Sequence, residues 1–222
     1  MSSTFAVIFD NDGVLVDSEA ISIEAYQRAI EEQGVVVQES DNEKYCGLTD
    51  ADIIRDMEIH YGTHLDLEKF SSRKRDLYFE LAEKSGMKRF PGALELLRDL
   101  RAAGVPYALA SSGSQEKIEF NLRAAGLDAE FDIIISGQDF ERGKPDPEIF
   151  LCAAKRVETP TERCIVLEDS VNGLKAAKAA GCFAVGVPNT FQAGVLARHA
   201  DTVVDTLTAL SASRLGQMIG LD

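Results

Sequence analysis

A short apolar run, Phe5-Ala-Val-Ile-Phe9, leads straight into Asp10-Asn11-Asp12-Gly13, so two carboxylates flank a single residue. Side chains alternate along extended backbone, and positions two apart can face the same way, with Asn11 turned elsewhere. Two like charges that close repel unless a cation lies between them. A hard divalent ion with oxygen ligands, Mg²⁺ above all, relieves that repulsion and leaves one carboxylate to act as a nucleophile. An acidic turn after a strand is the competing reading, since Asp and Gly are both ordinary turn residues. The arrangement recurs at Val166-Leu167-Glu168-Asp169-Ser170, a second apolar stretch ending in two carboxylates, which doubles the case for a metal. Asp169 is alternatively only the N-cap of a following helix.

Two other stretches carry suitable groups. Leu109-Ala110-Ser111 ends in a hydroxyl, and Ser112-Gly113-Ser114 leaves backbone N–H groups accessible at a helix start, which suits an anionic oxygen. Ser-Gly loops are nevertheless more often plain turns. Gly143-Lys144-Pro145-Asp146-Pro147 sets a lysine in a stiff loop that fixes its direction, against the alternative of a solvated lysine.

These residues need a scaffold that brings strand ends together. The five apolar residues before Asp10 are too few to span a membrane and suit a strand buried on both faces of a parallel sheet. From Phe90 onward helix and strand alternate: a helix with Leu94, Leu97 and Leu100 ending at Gly104; a strand at Val105 to Ala110; a helix at Gln115 to Ala125. A strand at Phe131 to Ile135, a helix at Pro147 to Arg156 and a strand at Cys164 to Leu167 follow. A helix near Gly173 to Ala180, a strand at Phe183 to Val187, and a last short strand and closing helix within Thr202 to Leu221 complete the series. Such alternation predicts an α/β fold with a doubly wound parallel sheet, the Phe5–Phe9 strand in its middle, whose ligands bind at the carboxyl edge. Between Asp17 and Met87 the patterns are helical instead: Glu19 to Gln33 after an Asp17-Ser18 cap and stopped by Gly34, a capping box at Ser40 to Glu43, a helix start at Thr49 to Asp52, and a long helix at Leu67 to Lys84. The one strand candidate there is Val35 to Val37. The expected organisation is a catalytic core of residues 1–16 plus 88–222 and an inserted helical cap of residues 17–87.

The 222 residues carry 23 Lys and Arg against 37 Asp and Glu, a formal charge of −14. That balance argues against a nucleic-acid partner held through its phosphates, and any anionic substrate needs local positive charge from a metal or a specific lysine. Cys46, Cys152, Cys164 and Cys182 show no paired spacing and read as reduced, mostly core thiols. The N-terminus has no basic start and its apolar run stops at Asp10, so no secretory signal or membrane helix is expected and the cytoplasm is the expected location.

Taken together and in this order, the four stretches resemble the haloacid dehalogenase superfamily of phosphotransferases: Asp10-Asn-Asp12-Gly13-Val14, Ser111, Lys144 and Glu168-Asp169 match its four motifs. Leu15-Val-Asp-Ser-Glu19, Gly143-Lys-Pro-Asp-Pro147 and Glu168-Asp-Ser-Val-Asn-Gly173 resemble its β-phosphoglucomutase-like branch, which inserts a helical cap just after the first motif. The resemblance implies a Rossmann-like core and an enzyme in which Asp10 attacks phosphorus, while Asp12 protonates the leaving oxygen and later deprotonates water. It implies Mg²⁺ held by Asp10, the Asp12 backbone carbonyl and Asp169, with Glu168 near or one layer out. Ser111 and Lys144 would grip the phosphoryl oxygens, helped by backbone N–H groups around Ser112 and Asn11, and Asn172 is a weaker candidate for supporting the metal ligands.

The cap departs from the mutase pattern. Ser22 stands where mutases of this branch carry a His, and Cys46 and Asp50 stand in the cap loop where they carry a Lys and an Arg. The departure implies water as acceptor, and hence a phosphatase for a small phosphorylated metabolite such as a phosphosugar, working as a monomer or small homo-oligomer. Gln115, Cys46 and Asp50 are its expected substrate contacts alongside Ser111, Ser112 and Lys144. Inorganic pyrophosphatase, phosphosugar mutase and a non-catalytic phosphate-accepting switch are the alternatives.

Overall fold

Ala6–Phe9 forms strand β1 and is buried along its whole length, as a strand covered on both faces must be. The computed structural model describes residues 5–38 and 49–221. It divides into two compact units, Met1–Asp17 with Lys88–Asp222, and Ser18–Met87.

In the first unit, β2 (Val16–Asp17) and β3 (Lys88–Arg89) pair antiparallel where the chain leaves and re-enters the unit. β4 (Tyr107–Ser111), β5 (Ile134–Ser136), β6 (Cys164–Glu168), β7 (Phe183–Gly186) and β8 (Thr202–Val203) join β1 in a parallel sheet of order β5-β4-β1-β6-β7-β8. Strand order reverses on the two sides of β1, the signature of a doubly wound, Rossmann-like α/β fold, whose switch point is where ligands bind. Alternation along β1 divides the core. Ala6 and Ile8 pack with Ala108, Val166 and Ala184 of neighbouring strands and with Ile149, Phe150, Ala153, Leu174 and Ala177 from the helices Glu148–Arg156 and Val171–Ala179. Phe9 belongs to the other set and meets Tyr107 and Phe131 edge to face, with ring centroids 6.2 and 6.1 Å away, while those two rings lie 5.6 Å from each other.

The second unit is helical in its described residues. Helices Glu19–Glu31 and Leu67–Ser85 pack through Tyr26, Ile30, Phe70, Leu77 and Leu81, all buried. Arg73 Nε lies 2.9 Å from Glu32, and Asp66 N donates to Gln33 Oε1 at 2.8 Å, so the ends of the pair are tied as well. Helix Asp50–Tyr61 starts where expected, its Thr49 side chain accepting from Asp52 N. Residues 35–38 form no strand, which corrects the expectation at Val35 to Val37: a strand needs a partner edge, and the described residues of this unit offer none. The Ser40 to Glu43 capping box lies outside the described residues. Among the described residues no helix is long and apolar enough to cross a membrane.

Candidate active site

Phe9 pairs with Leu109 on one side and Leu167 on the other, so β4 and β6 end at Ser111 and Glu168, within two residues of the level at which β1 ends. Asp10, Ser111 and Glu168 therefore emerge at one edge of the sheet, at the switch point. The helix after β6 begins at Val171 with Ser170 as its cap, the Ser170 side chain accepting from Gly173 N; Asp169 is not the cap, and the competing reading for it falls away. Carboxylate oxygens of Asp10, Glu168 and Asp169 come within 4.8 Å of one another, all three residues buried.

Lys144 reaches this cluster from the loop after β5. Its ammonium lies 2.5 Å from Asp10 Oδ1 and 2.8 Å from Glu168 Oε1, donates to Ala110 O at 3.2 Å, and sits 4.9 Å from the centre of the Phe150 ring. The lysine side chain is only 6% exposed, so the solvated alternative is excluded. One cation cannot balance three buried carboxylates. Burial, with Glu168 and Asp12 nearby, pushes the Asp10 carboxyl up to about 7 against the pull of Lys144. Burial and the charges of Glu168 and Asp10 likewise hold Asp169 well above the carboxylate range. Burial pulls Lys144 down, but the charges of Asp10 and Glu168 outweigh it and raise the ammonium's pKa, keeping it charged.

Two glycines make room for this crowding. A Cβ on Gly13, whose φ is +79°, would stand 1.8 Å from Asp169 Oδ2, and one on Gly173 would stand 1.7 Å from Glu168 Oε1. Glu168 Oε2 accepts from Ser170 N at 2.7 Å and Ser170 Oγ at 2.8 Å; Asp169 Oδ2 accepts from Thr190 Oγ1. Asn189 Nδ2 donates to Gly13 O at 2.7 Å, pinning the turn after β1. An all-oxygen, acid-rich donor set with excess negative charge fits a hard divalent cation. Asp12 contributes no side-chain oxygen to the cluster. Its Oδ1 is engaged instead by Lys117 and Asn121, each at 3.2 Å, so the two carboxylates of the first motif do not share one site through their side chains.

Residues 7–187 match the haloacid dehalogenase-like hydrolase family. The chain belongs to that family. It is 37% identical over 195 residues to the chloroplastic Protein SUPPRESSOR OF QUENCHING 1 of Arabidopsis thaliana, which covers 86% of this chain but only 18% of that relative's length. It is 33% identical over 180 residues to the Phosphorylated carbohydrates phosphatase of Thermotoga maritima, covering 79% of this chain and 81% of the relative. Among solved structures, β-phosphoglucomutase from Clostridium difficile superposes with a TM-score of 0.84 at 25% identity, over 98% of this chain and 97% of that one. As a haloacid dehalogenase-like hydrolase the chain is an enzyme, and further relatives are named as phosphatases.

The remaining candidates are spread more widely. Ser111 is buried at the β4 end, its Oγ accepting from Gly113 N at 3.1 Å, and Ser112 is exposed beside it. Gln115 opens the helix Gln115–Ala124, where its side chain donates to Glu119 at 2.7 Å. Asn172 is the second residue of its helix. Ser22 lies in the first helix of the other unit, and Asp50, in the same unit, is ion-paired with Lys74. Cys46 lies outside the described residues; Cys152, Cys164 and Cys182 are free thiols, the last two buried. Sequence reading passed over Thr190, Asn189, Ser170, Lys117 and Asn121. The Pro188-Asn-Thr190 stretch follows β7 at the same sheet edge, which is the signal that would have flagged the first two.

Proposed function

We propose that this hydrolase is a Mg²⁺-dependent phosphatase of a small phosphorylated metabolite, a phosphosugar-like monoester, acting through an aspartyl-phosphate on Asp10. The observation that carries the reading is the Lys144 ammonium held between Asp10 and Glu168 within a buried acidic cluster. Asp10, Asp169 and the Asp12 backbone carbonyl would hold the metal, with Glu168 close by. When bound, the ion would offset the repulsion between these carboxylates and the substrate phosphate.

Asp10 attacks phosphorus through one carboxylate oxygen, and the bond to the leaving oxygen breaks as Asp12 gives that oxygen a proton. Water then attacks the same phosphorus, Asp12 takes its proton, and the bond to Asp10 breaks, restoring both carboxyls. Lys144 and Ser111 grip the phosphoryl oxygens, with the Ser112 N–H in support, supplying the electrostatic stabilisation on which phosphoryl transfer depends. The unit Ser18–Met87 serves as the helical cap domain and the rest as the catalytic core, with Gln115, Cys46 and Asp50 as candidate selectors of substrate.

Water is the acceptor because Ser22, Cys46 and Asp50 supply neither the proton-biasing His nor the cations that retain a second phosphate. Asp50 is ion-paired with Lys74 within its own unit, which speaks for the monoester reading over a pyrophosphatase that would use Asp50 at its metal. The relative named for phosphorylated carbohydrates supports the substrate class. The free cysteines and acidic charge suit a cytoplasmic monomer or small homo-oligomer. The test is a multiple-turnover phosphate-release screen over phosphosugars, pyrophosphate and nucleotides with Mg²⁺. Release from phosphosugars is expected; turnover of pyrophosphate alone, or of β-glucose 1-phosphate to glucose 6-phosphate without phosphate release, would overturn it.

A further inference from the structure

Asp12 Oδ1 takes two donors from one helix, while Asp12 Oδ2 has a long 3.5 Å contact with the neighbouring Asn11 amide. Lys117 Nζ and Asn121 Nδ2 both lie 3.2 Å from Asp12 Oδ1, and their four-residue spacing puts them on the same face of Gln115–Ala124. We infer that Lys117 and Asn121 are positioning residues for the general acid/base, fixing the Asp12 carboxyl through Oδ1 in a single orientation; the inference rests on the role proposed above for Asp12.

The helix has an apolar inner face on which Ile118 and Leu122 are fully or nearly fully buried. Asn121 is 0% exposed in the same face, although a leucine or alanine there would serve core packing alone. A buried amide costs stability unless it is hydrogen-bonded, and Asn121 Nδ2 donates to Asp12. Lys117 adds a charge-assisted bond to the same atom from a side chain only 27% exposed. The start of the helix is itself fixed. Ser114 caps it by accepting from Lys117 N, and Gly113 N donates to Ser111 Oγ in the loop just before. One rigid piece therefore sets both the hydroxyl of Ser111 and the carboxyl of Asp12. A proton donor must stand within hydrogen-bond reach of the oxygen it serves, and a misplacement of about 1 Å can cost on the order of 10²-fold in rate.

The test exploits leaving groups. p-Nitrophenolate departs with little need of a proton, whereas the more basic phenolate depends on one. kcat/KM with Mg²⁺ would be measured on p-nitrophenyl phosphate and phenyl phosphate for the wild type, Lys117→Gln, Asn121→Ala, the double variant and Asp12→Ala. For the double variant we expect a loss of roughly tenfold or more on phenyl phosphate and a much smaller one on p-nitrophenyl phosphate, with Lys117→Arg recovering most of the Lys117→Gln loss. Equal losses on both substrates, or none, would overturn the inference and leave the contacts structural. Should Asn121→Ala fail to fold, Lys117→Gln carries the same comparison. Selective loss in Asp12→Ala without selective loss in the helix variants sinks the inference alone. If Asp12→Ala affects both substrates alike, or the wild type releases phosphate from neither, the proposed role of Asp12 falls as well.

Discussion

Lys144 Nζ stands 2.5 Å from Asp10 Oδ1 and 2.8 Å from Glu168 Oε1, so one ammonium serves carboxylates from the ends of two adjacent strands. Removing it leaves both acids buried without their cation. Lys144→Met is expected to destabilise the metal-free protein by about 3–5 kcal/mol in urea denaturation, because breaking a buried pair strands a charge. Adding Glu168→Gln should recover part of that loss. If Lys144 has the role proposed for it, kcat/KM should drop on the order of 10²–10³-fold as the charge that grips the phosphoryl oxygens is removed. A Lys144→Met protein as stable as the wild type would show that the cluster does not need the cation.

Gly173 is constrained by Glu168 rather than by its own backbone. Its added Cβ would fall 1.7 Å from Glu168 Oε1, and its φ is not positive. Gly173→Ala should thus cost about 1–3 kcal/mol and lower activity by displacing the carboxylate that holds Lys144. Gly194, with nothing within 4 Å of a Cβ, is the control: Gly194→Ala should stay within about 0.5 kcal/mol of the wild type. Equal effects at the two glycines would contradict the crowding seen at Glu168.

Proton linkage gives a third expectation. Asp10 is raised from 3.8 to about 7, and Asp169 is raised well above 3.8, both chiefly by burial. The folded metal-free protein then binds more protons than the unfolded chain from pH 3.8 up to about 7, so these two groups make stability fall as pH rises through that window. A divalent ion competes with those protons. Mg²⁺ should raise Tm clearly at pH 7.5 and far less at pH 5.5, with a chelator reversing it. A Tm shift independent of pH would mean that these carboxyls do not bind the ion.

Much of the core fold was legible because its apolar runs stop at residues that cannot continue them: β1 at Asp10, β6 at Glu168-Asp169, and the helices at Gly104, Gly126 and Gly181. The four site stretches were legible for the same reason, each sitting at a strand end or in a Pro-braced loop. What escaped notice depends on distant pairing. Asn121 and Asp12 are 109 residues apart and Asn189 and Gly13 are 176 apart, so no local pattern links them. The two-residue strands β2 and β3 are too short to show a period. Val35 to Val37 had strand-like composition but no edge to pair with, and Asp12 followed the helix Gln115–Ala124 rather than the side-chain alternation that would set it beside Asp10.

The central claim is that Asp10 carries the phosphoryl group. Asp12→Ala protein, expected to slow both half-reactions and to hold the intermediate where its hydrolysis is slowed more, would be mixed with Mg²⁺ and a phosphosugar that the wild type turns over. The mixture is then quenched with borohydride, which reduces an acyl phosphate to the alcohol. Mass spectrometry of the peptide containing Asp10 should find homoserine at position 10 only when substrate is present, and none in Asp10→Asn. Reduction at another residue, or undiminished phosphate release from Asp10→Asn, would contradict it.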